Sequence, residues 1–543
     1  MNTSYLYKRA AMALLLLCVP ACTKLDQQVY SALPNSNFWQ TPDQIKAGVA
    51  PVYQQLTNLA NGNTYNLNEV SSDEQIIPTR GNDWYDGGKW QQLWLHTWTP
   101  ETNTLNDSWN EIFGGIGKAN FILSIINNLP QKPDNVDAIS AEVKTVRAYY
   151  YYLAMDLFGN VPLVSDFNTD PNSVTNSPRA DIYKFIESDL KASIPLLPET
   201  VDGSTFGRAT KWMGFALLAK LYLNAEVFTG TANYAAAGAA CDSIIKSGKY
   251  QLEPGYFDNF QVKNQGSREN IFVVPFNNAY IPNNNWENET LHYQSVISFG
   301  MTGGSWNGYS SMQAFYNLFD TVSTYTTNNG NVYRTYRDQR SGTWLVGQQF
   351  STRYPYPPDK NVLVKSADPS LALKDAQTNL PLIYDPNIDV ISNPADIFRT
   401  KGVRNIKYFP EAGTASNQSN AIVVFRLADI LLMKAEVDIR LETNLGEALT
   451  LINQVRERAY SGDASFDFTP ADLTLDKLLA ERGRELSWES WRRNDLIRFG
   501  TFGQARTPGK VADNPDGHLK LYPIPGPQLT ANPNLKQNPG YTP

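Results

Sequence analysis

The chain has 543 residues, 42% hydrophobic and 18% charged, with a formal charge of −7. That balance describes a chain able to bury a large core and excludes a disordered one. The acid excess also argues against nucleic acid, which is gripped through Lys and Arg, and against charge-driven adhesion to an anionic bilayer.

At the N-terminus, Lys8 and Arg9 precede the apolar stretch Ala10 to Leu17, and Leu17-Cys18-Val19-Pro20-Ala21-Cys22 follows. The run is too short to span a bilayer, and a small residue stands just before a cysteine. It resembles a bacterial lipoprotein signal peptide. The resemblance implies removal of residues 1–21 and acylation of Cys22, which anchors the mature chain by lipid. Residues 22–40 then read as a lipidated N-terminus and tether. Cys241 is left without an intramolecular partner, so no disulfide is expected. Inside a helical pattern, it reads as a small buried residue.

Residues 41–543 read as one unit. Helical periodicity dominates from about 41 to 250. Asp107 to Leu129 pairs with Ala141 to Phe158, Asp181 to Leu197 with Lys211 to Phe228, and Tyr234 to Ile245 follows. This spacing predicts an array of helical hairpins, with loose tetratricopeptide character in Ala148 to Ala154 and Ala216 to Tyr222. Residues 251–418 are rich in Asn, Gly, Pro, Tyr and Ser and read as a loop-rich, irregular insertion with few short strands. Helices resume over about 419–500, with a hairpin from Leu427 to Arg440 and Gly446 to Ala459. One long charged helix is expected from Thr474 to Arg498. Residues 501–543 read as an extended segment pinned across the surface. The expected fold class is mostly α.

Catalytic chemistry is hard to find. His96, His292 and His518 are far apart and lack metal-ligand spacing. There is no G-x-S-x-G elbow, and Gly300 to Gly304 lacks the lysine of a phosphate loop. Asp73-Glu74 and the Asp83/Asp86 pair could serve glycoside hydrolysis, but among 53 acids such neighbours arise by chance. No enzymatic activity and no cofactor are expected; whether a structural cation binds is left open.

Twelve tryptophans carry the functional signal. Trp90, Trp94 and Trp98 recur at helical spacing and would share one face. With Trp39, Trp109, Trp212, Trp344, Trp488 and Trp491 they read as core. Trp84, Trp286 and Trp306 differ. They stand in polar, Gly- or Asn-rich stretches that read as surface loops. A rigid indole on a loop offers an apolar face to a sugar ring, with polar neighbours for the hydroxyls. The candidate glycan-binding residues are Trp84, Trp286 and Trp306 for stacking, extended by Tyr85 and Tyr309, with Asn82, Asp83 and Asn307 as hydrogen-bonding partners.

Four separated motifs carry a wider resemblance. They are Phe158-Gly159-Asn160-Val161-Pro162-Leu163, Arg426 to Glu436, Glu481 to Arg498, and Leu521 to Pro525 with Asn532 to Tyr541. In that order they resemble the SusD/RagB family over essentially the whole mature chain. The resemblance implies tetratricopeptide-like hairpins, an outer-membrane lipoprotein of Bacteroidota facing outward, and a lid on a SusC-like TonB-dependent transporter that captures glycans. It also implies that the acids and arginines of Glu481 to Arg498 are structural, pairing along one helix. The Trp84 and Trp306 regions resemble ligand-site loops of glycan-binding members. A flat aromatic row suits an extended β-linked glucan or a hemicellulose such as xyloglucan, whereas a curved arc suits starch. A peptide-capturing RagB-like lid is the alternative.

Overall fold

A computed structural model of the protein describes residues 41–81, 83–351, 362–393 and 399–542. The signal, Cys22, the tether, Trp39 and Asn82 lie outside the described residues.

Long helices build the scaffold. Asn103–Asn127 packs on Val136–Phe158, which packs on Arg179–Ser193; Lys211–Leu223 packs on Tyr234–Ile245. The array does not stop where the sequence turns irregular. Tyr234–Ile245 packs directly on Leu427–Leu441, which pairs with Leu445–Ala459. Residues 251–418 are therefore inserted between neighbouring helices of one array. Strand Asn270–Val274 runs antiparallel to Ile422–Arg426 and closes the base of this insertion. The other sheets are short, the largest having three strands: Ser323–Asn328, Asn331–Tyr336 and Val362–Lys365.

Helix boundaries follow the apolar stripes in the scaffold, except that the helix expected over Lys211 to Phe228 ends at Leu223 and a short helix, Ala225–Thr229, follows. Cys241 is fully buried within Tyr234–Ile245. The tryptophans read as core are buried wherever described. One expectation about them fails in detail: the helix carrying Trp90 and Trp94 ends at Leu95, and His96 turns left-handed at φ 57°. Trp98 therefore leaves that face and instead donates its indole N–H to Tyr541 Oη at 2.8 Å. This contact, with Tyr522 Oη donating to the Leu67 carbonyl at 2.7 Å, pins the C-terminal segment.

The long charged helix is also broken. It runs Leu475–Glu485, stops, and resumes as Arg492–Arg498, with Trp488 and Ser490 at φ 57° and 66°. Buried carboxylates capture the backbone N–H groups that a helix would use: Trp488 N–H donates to Glu74, and Ser490 N–H to Glu69. Nor are the charges of this motif mainly paired along one helix. Arg426, from the closing strand, bonds Glu269 at 2.8 Å, Glu485 at 2.6 Å and Glu489 at 2.8 Å. Arg340 binds Glu481 at 2.7 Å, and Arg482 binds Asp429 at 2.9 Å. The motif ties the insertion to the scaffold through buried, multiply bonded ion pairs.

Candidate functional site

The platform is built on two loops that meet edge to edge. The first follows strand Thr79–Arg80. Arg80 and Asp83 exchange backbone hydrogen bonds of 3.0 and 3.1 Å around a tight turn, with Gly81 at φ 64°. Trp84 and Asp86 are held left-handed at φ 62° and 44°, followed by Gly87 and Gly88 at 68° and 80°. Positive φ costs a non-glycine residue energy and persists only where the surroundings enforce it. Here the enforcement is visible. The Trp90 indole donates to Asp86 Oδ2 at 2.7 Å, and the buried Arg80 guanidinium donates to the Lys401 carbonyl at 2.7 Å and to Ser310 Oγ at 3.0 Å.

The second loop, 303–310, is stitched to the segment 288–291. Trp306 N–H donates to the Asn288 carbonyl at 2.6 Å and Asn307 N–H to that of Leu291 at 2.9 Å. Gly308 and Tyr309 both donate to the Glu289 carbonyl at 2.8 Å. Two glycines are required. At Gly304, φ 92°, a Cβ would lie 1.8 Å from the Ala415 carbonyl oxygen. At Gly308 it would lie 2.3 Å from the Trp84 ring. Gly308 thus lets the Trp84 indole lie directly on this loop, where its N–H donates to the Trp306 carbonyl at 2.7 Å.

Trp84 and Trp306 are therefore joined, with Trp84 half-buried, Trp306 39% exposed and Tyr85 56% exposed. Asp83 stands at their edge. It accepts from Tyr293 Oη at 2.7 Å and pairs with Arg399 at 3.4 Å. Arg399 also donates to Asp375 at 3.0 Å, and the Nε2 of buried His292 lies 2.8 Å from the same oxygen. Gln294 N–H donates to His292 Nδ1, which leaves the ring proton on Nε2, facing Asp375. Burial, with Arg404 nearby, drives the His292 pKa down to about 3. Burial opposes ionisation of Asp375, but the hydrogen bond from Arg399 holds it at about 2. The chain of bonds fixes Asp83 as an oriented, partly exposed acceptor.

The remaining sequence candidates must be corrected. Trp286 is 2% exposed and packs edge-on to Tyr65 at 5.2 Å and Tyr408 at 4.9 Å, so it is core. Tyr309, 4% exposed, stacks on Tyr65 at 6.3 Å and meets Trp84 edge-on at 5.7 Å. It supports the platform from below. Asn307 is fully buried; its amide donates to the Arg399 carbonyl at 3.0 Å and accepts from Arg404 at 2.8 Å. It shapes the loop from within.

Tyr293 and Arg399 were missed by sequence reasoning, and no local pattern marks them. Arg399 is distant in sequence from Asp83, and Tyr293 stands in an ordinary mixed stretch. The acid pairs considered for hydrolysis separate as well. Glu74 is buried beside Glu69, and burial raises both carboxyls. Asp73 is bound by Arg492 at 2.7 Å. Among the described residues no cluster of three His, Cys, Asp or Glu could hold a metal ion.

Chemically, the arrangement offers two exposed rings, Trp306 and Tyr85, on loops joined through the Trp84 indole, with an oriented carboxylate at Asp83. It can stack an apolar ring face and accept hydroxyl hydrogen bonds. A helical-hairpin scaffold carries this exposed aromatic face. The sequence profile of the SusD family matches residues 268–541, and a profile described as "Starch-binding associating with outer membrane" matches residues 25–223. The chain belongs to the SusD family. It is 25% identical to the starch-binding protein SusD of Bacteroides thetaiotaomicron, over 88% of this chain and 85% of that one. Its fold is similar to a laminarin binding SusD-like protein (TM-score 0.69, 21% identity, 93% of this chain and 100% of that one). It is also similar to surface glycan-binding protein A from Bacteroides fluxus (TM-score 0.66, 20% identity, 92% and 100%).

Proposed function

We propose that the protein is a non-catalytic, cell-surface glycan-binding lipoprotein. In this reading residues 1–21 are removed, Cys22 carries the lipid that holds the chain on the outer membrane, and the captured oligo- or polysaccharide passes to a SusC-like TonB-dependent transporter. The observation that carries it is the locked Trp84–Trp306 unit, with Tyr85 exposed beside it and Asp83 oriented at its edge. Relatives described as starch-binding and laminarin binding support a glycan over a peptide. An exposed aromatic row suits an extended β-linked glucan or a hemicellulose such as xyloglucan. Stacking and exposed hydrogen bonds leave modest affinity after ordering costs.

The test is affinity gel electrophoresis of the soluble chain from Thr23 in laminarin, xyloglucan, mixed-linkage β-glucan, xylan, mannan and starch. One polysaccharide should retard the wild type and release a folded Trp84→Ala/Trp306→Ala variant. Retardation that survives in that variant moves the site elsewhere, and none with any polysaccharide contradicts the reading.

A further inference from the structure

Among the described residues, none hydrogen-bonds to the carboxyl of Glu289, a side chain next to the platform loops. It sits on the short helix Trp286–Thr290, three residues beyond the core Trp286. Its carbonyl receives the N–H groups of Gly308 and Tyr309, the two residues against which Trp84 packs. The side chain is partly exposed, and Asp86 and Lys89, from the turn that carries Trp84, act on its carboxyl. Three other polar side chains there have partners. Asp83 is held by Tyr293 and Arg399, Asp86 by the Trp90 indole, and Asn307 by Arg404.

We propose that Glu289 contacts the bound glycan directly, exchanging hydrogen bonds with sugar hydroxyls next to Trp84 and Trp306. The proposal rests on the glycan reading above. The charged neighbours facing this carboxyl are Asp86 and Lys89, and the Tyr309 hydroxyl faces it from the opposite loop. Burial pushes the Glu289 carboxyl up to about 8; Asp86 adds to this and Lys89 opposes it. At neutral pH it is a neutral acid, able to donate as well as accept. A bond donated to the sugar is present below that value and lost as pH rises through it.

The probe is whichever polysaccharide of the panel retards the wild-type chain, titrated calorimetrically at pH 6.5 and pH 9. Wild-type affinity should fall about fivefold or more between the two. Glu289→Gln, which keeps a donor and nearly the same shape, should flatten the pH profile. Glu289→Ala should lose about tenfold at pH 6.5 with an unchanged melting temperature. Should the alanine variant misfold, the glutamine variant alone carries the pH comparison. Wild-type binding by Glu289→Ala, or the same pH trend in wild type and Glu289→Gln, overturns the proposal. If Trp306→Ala abolishes binding while Glu289→Ala does not, only this inference fails; a panel that retards nothing overturns both.

Discussion

Tyr309 is a shared wall between two aromatic clusters. On one side it meets Trp488 edge-on at 6.4 Å, within a nest where Trp488 also packs on Trp286 at 5.8 Å and Trp344 at 5.9 Å. On the other side it meets Trp84, which bonds to the Trp306 loop. The nest is fully buried and bounded by buried ion pairs; the platform has open faces and a strained backbone. The difference teaches that a tryptophan's role here is set by what distant chain covers it. Trp286 and Trp306 both follow Asn- or Gly-rich sequence. Helix Trp286–Thr290 turns the first indole toward Tyr65, Tyr408 and Trp488, whereas the 303–310 loop, stitched to 288–291, leaves the second at the surface.

The comparison can be broken most severely from the buried side. Trp488→Ala removes the ring that Trp286, Trp344 and Tyr309 all contact, and should cost about 3–5 kcal/mol in urea unfolding. Arg426→Ala leaves Glu269, Glu485 and Glu489 without a central partner, and should cost roughly 3–5 kcal/mol by the same measurement. A chain that unfolds like wild type after either change would remove the distinction between nest and platform.

The buried pairs also set the acid limit. Against burial, Arg458, Arg426 and Arg340 hold Glu485 down at about 2. A carboxylate depressed in the folded state stabilises above its unfolded value, about 4.3, and that contribution is lost as pH falls toward 2. His292, lowered to about 3, acts in the same direction from about 6.5 downward, because the unfolded ring takes the proton first. Glu69 and Glu289, raised to about 7 and about 8, oppose the histidine above about pH 4.5, so thermal melts should show their steepest loss of stability below that pH. A flat profile from pH 7 to pH 3 would contradict this account of both groups.

A smaller and more selective break comes from Gly308→Ala. The new methyl must displace the Trp84 ring, so affinity for the retarding polysaccharide should fall about tenfold, about 1.4 kcal/mol. The melting temperature should drop by only a few degrees. An unchanged affinity would mean that Trp84's seat on this loop does not matter for binding.

The scaffold was legible because helices and the strand Asn270–Val274 announce themselves by local period and apolar runs. The motif order also carried the family. The break between Glu485 and Arg492 was illegible, because it depends on Glu69 and Glu74 from far upstream taking the N–H groups of Ser490 and Trp488. At the candidate site, sequence chose Trp84, Trp306, Tyr85 and Asp83 through residue type and loop context, and the fold leaves these four at least partly exposed. It also chose Trp286, Tyr309 and Asn307, whose polar flanks conceal burial by segments distant in sequence. Glu289, Tyr293 and Arg399 are brought to these loops only by folding, so no spacing marks them.

The most direct test is a crystal structure of the chain from Thr23 with an oligosaccharide of the retarding polysaccharide. The account predicts a sugar ring stacked on Trp306 or Tyr85, with a hydroxyl on Asp83. Sugar bound elsewhere, with the Trp84–Trp306 face empty, would contradict it.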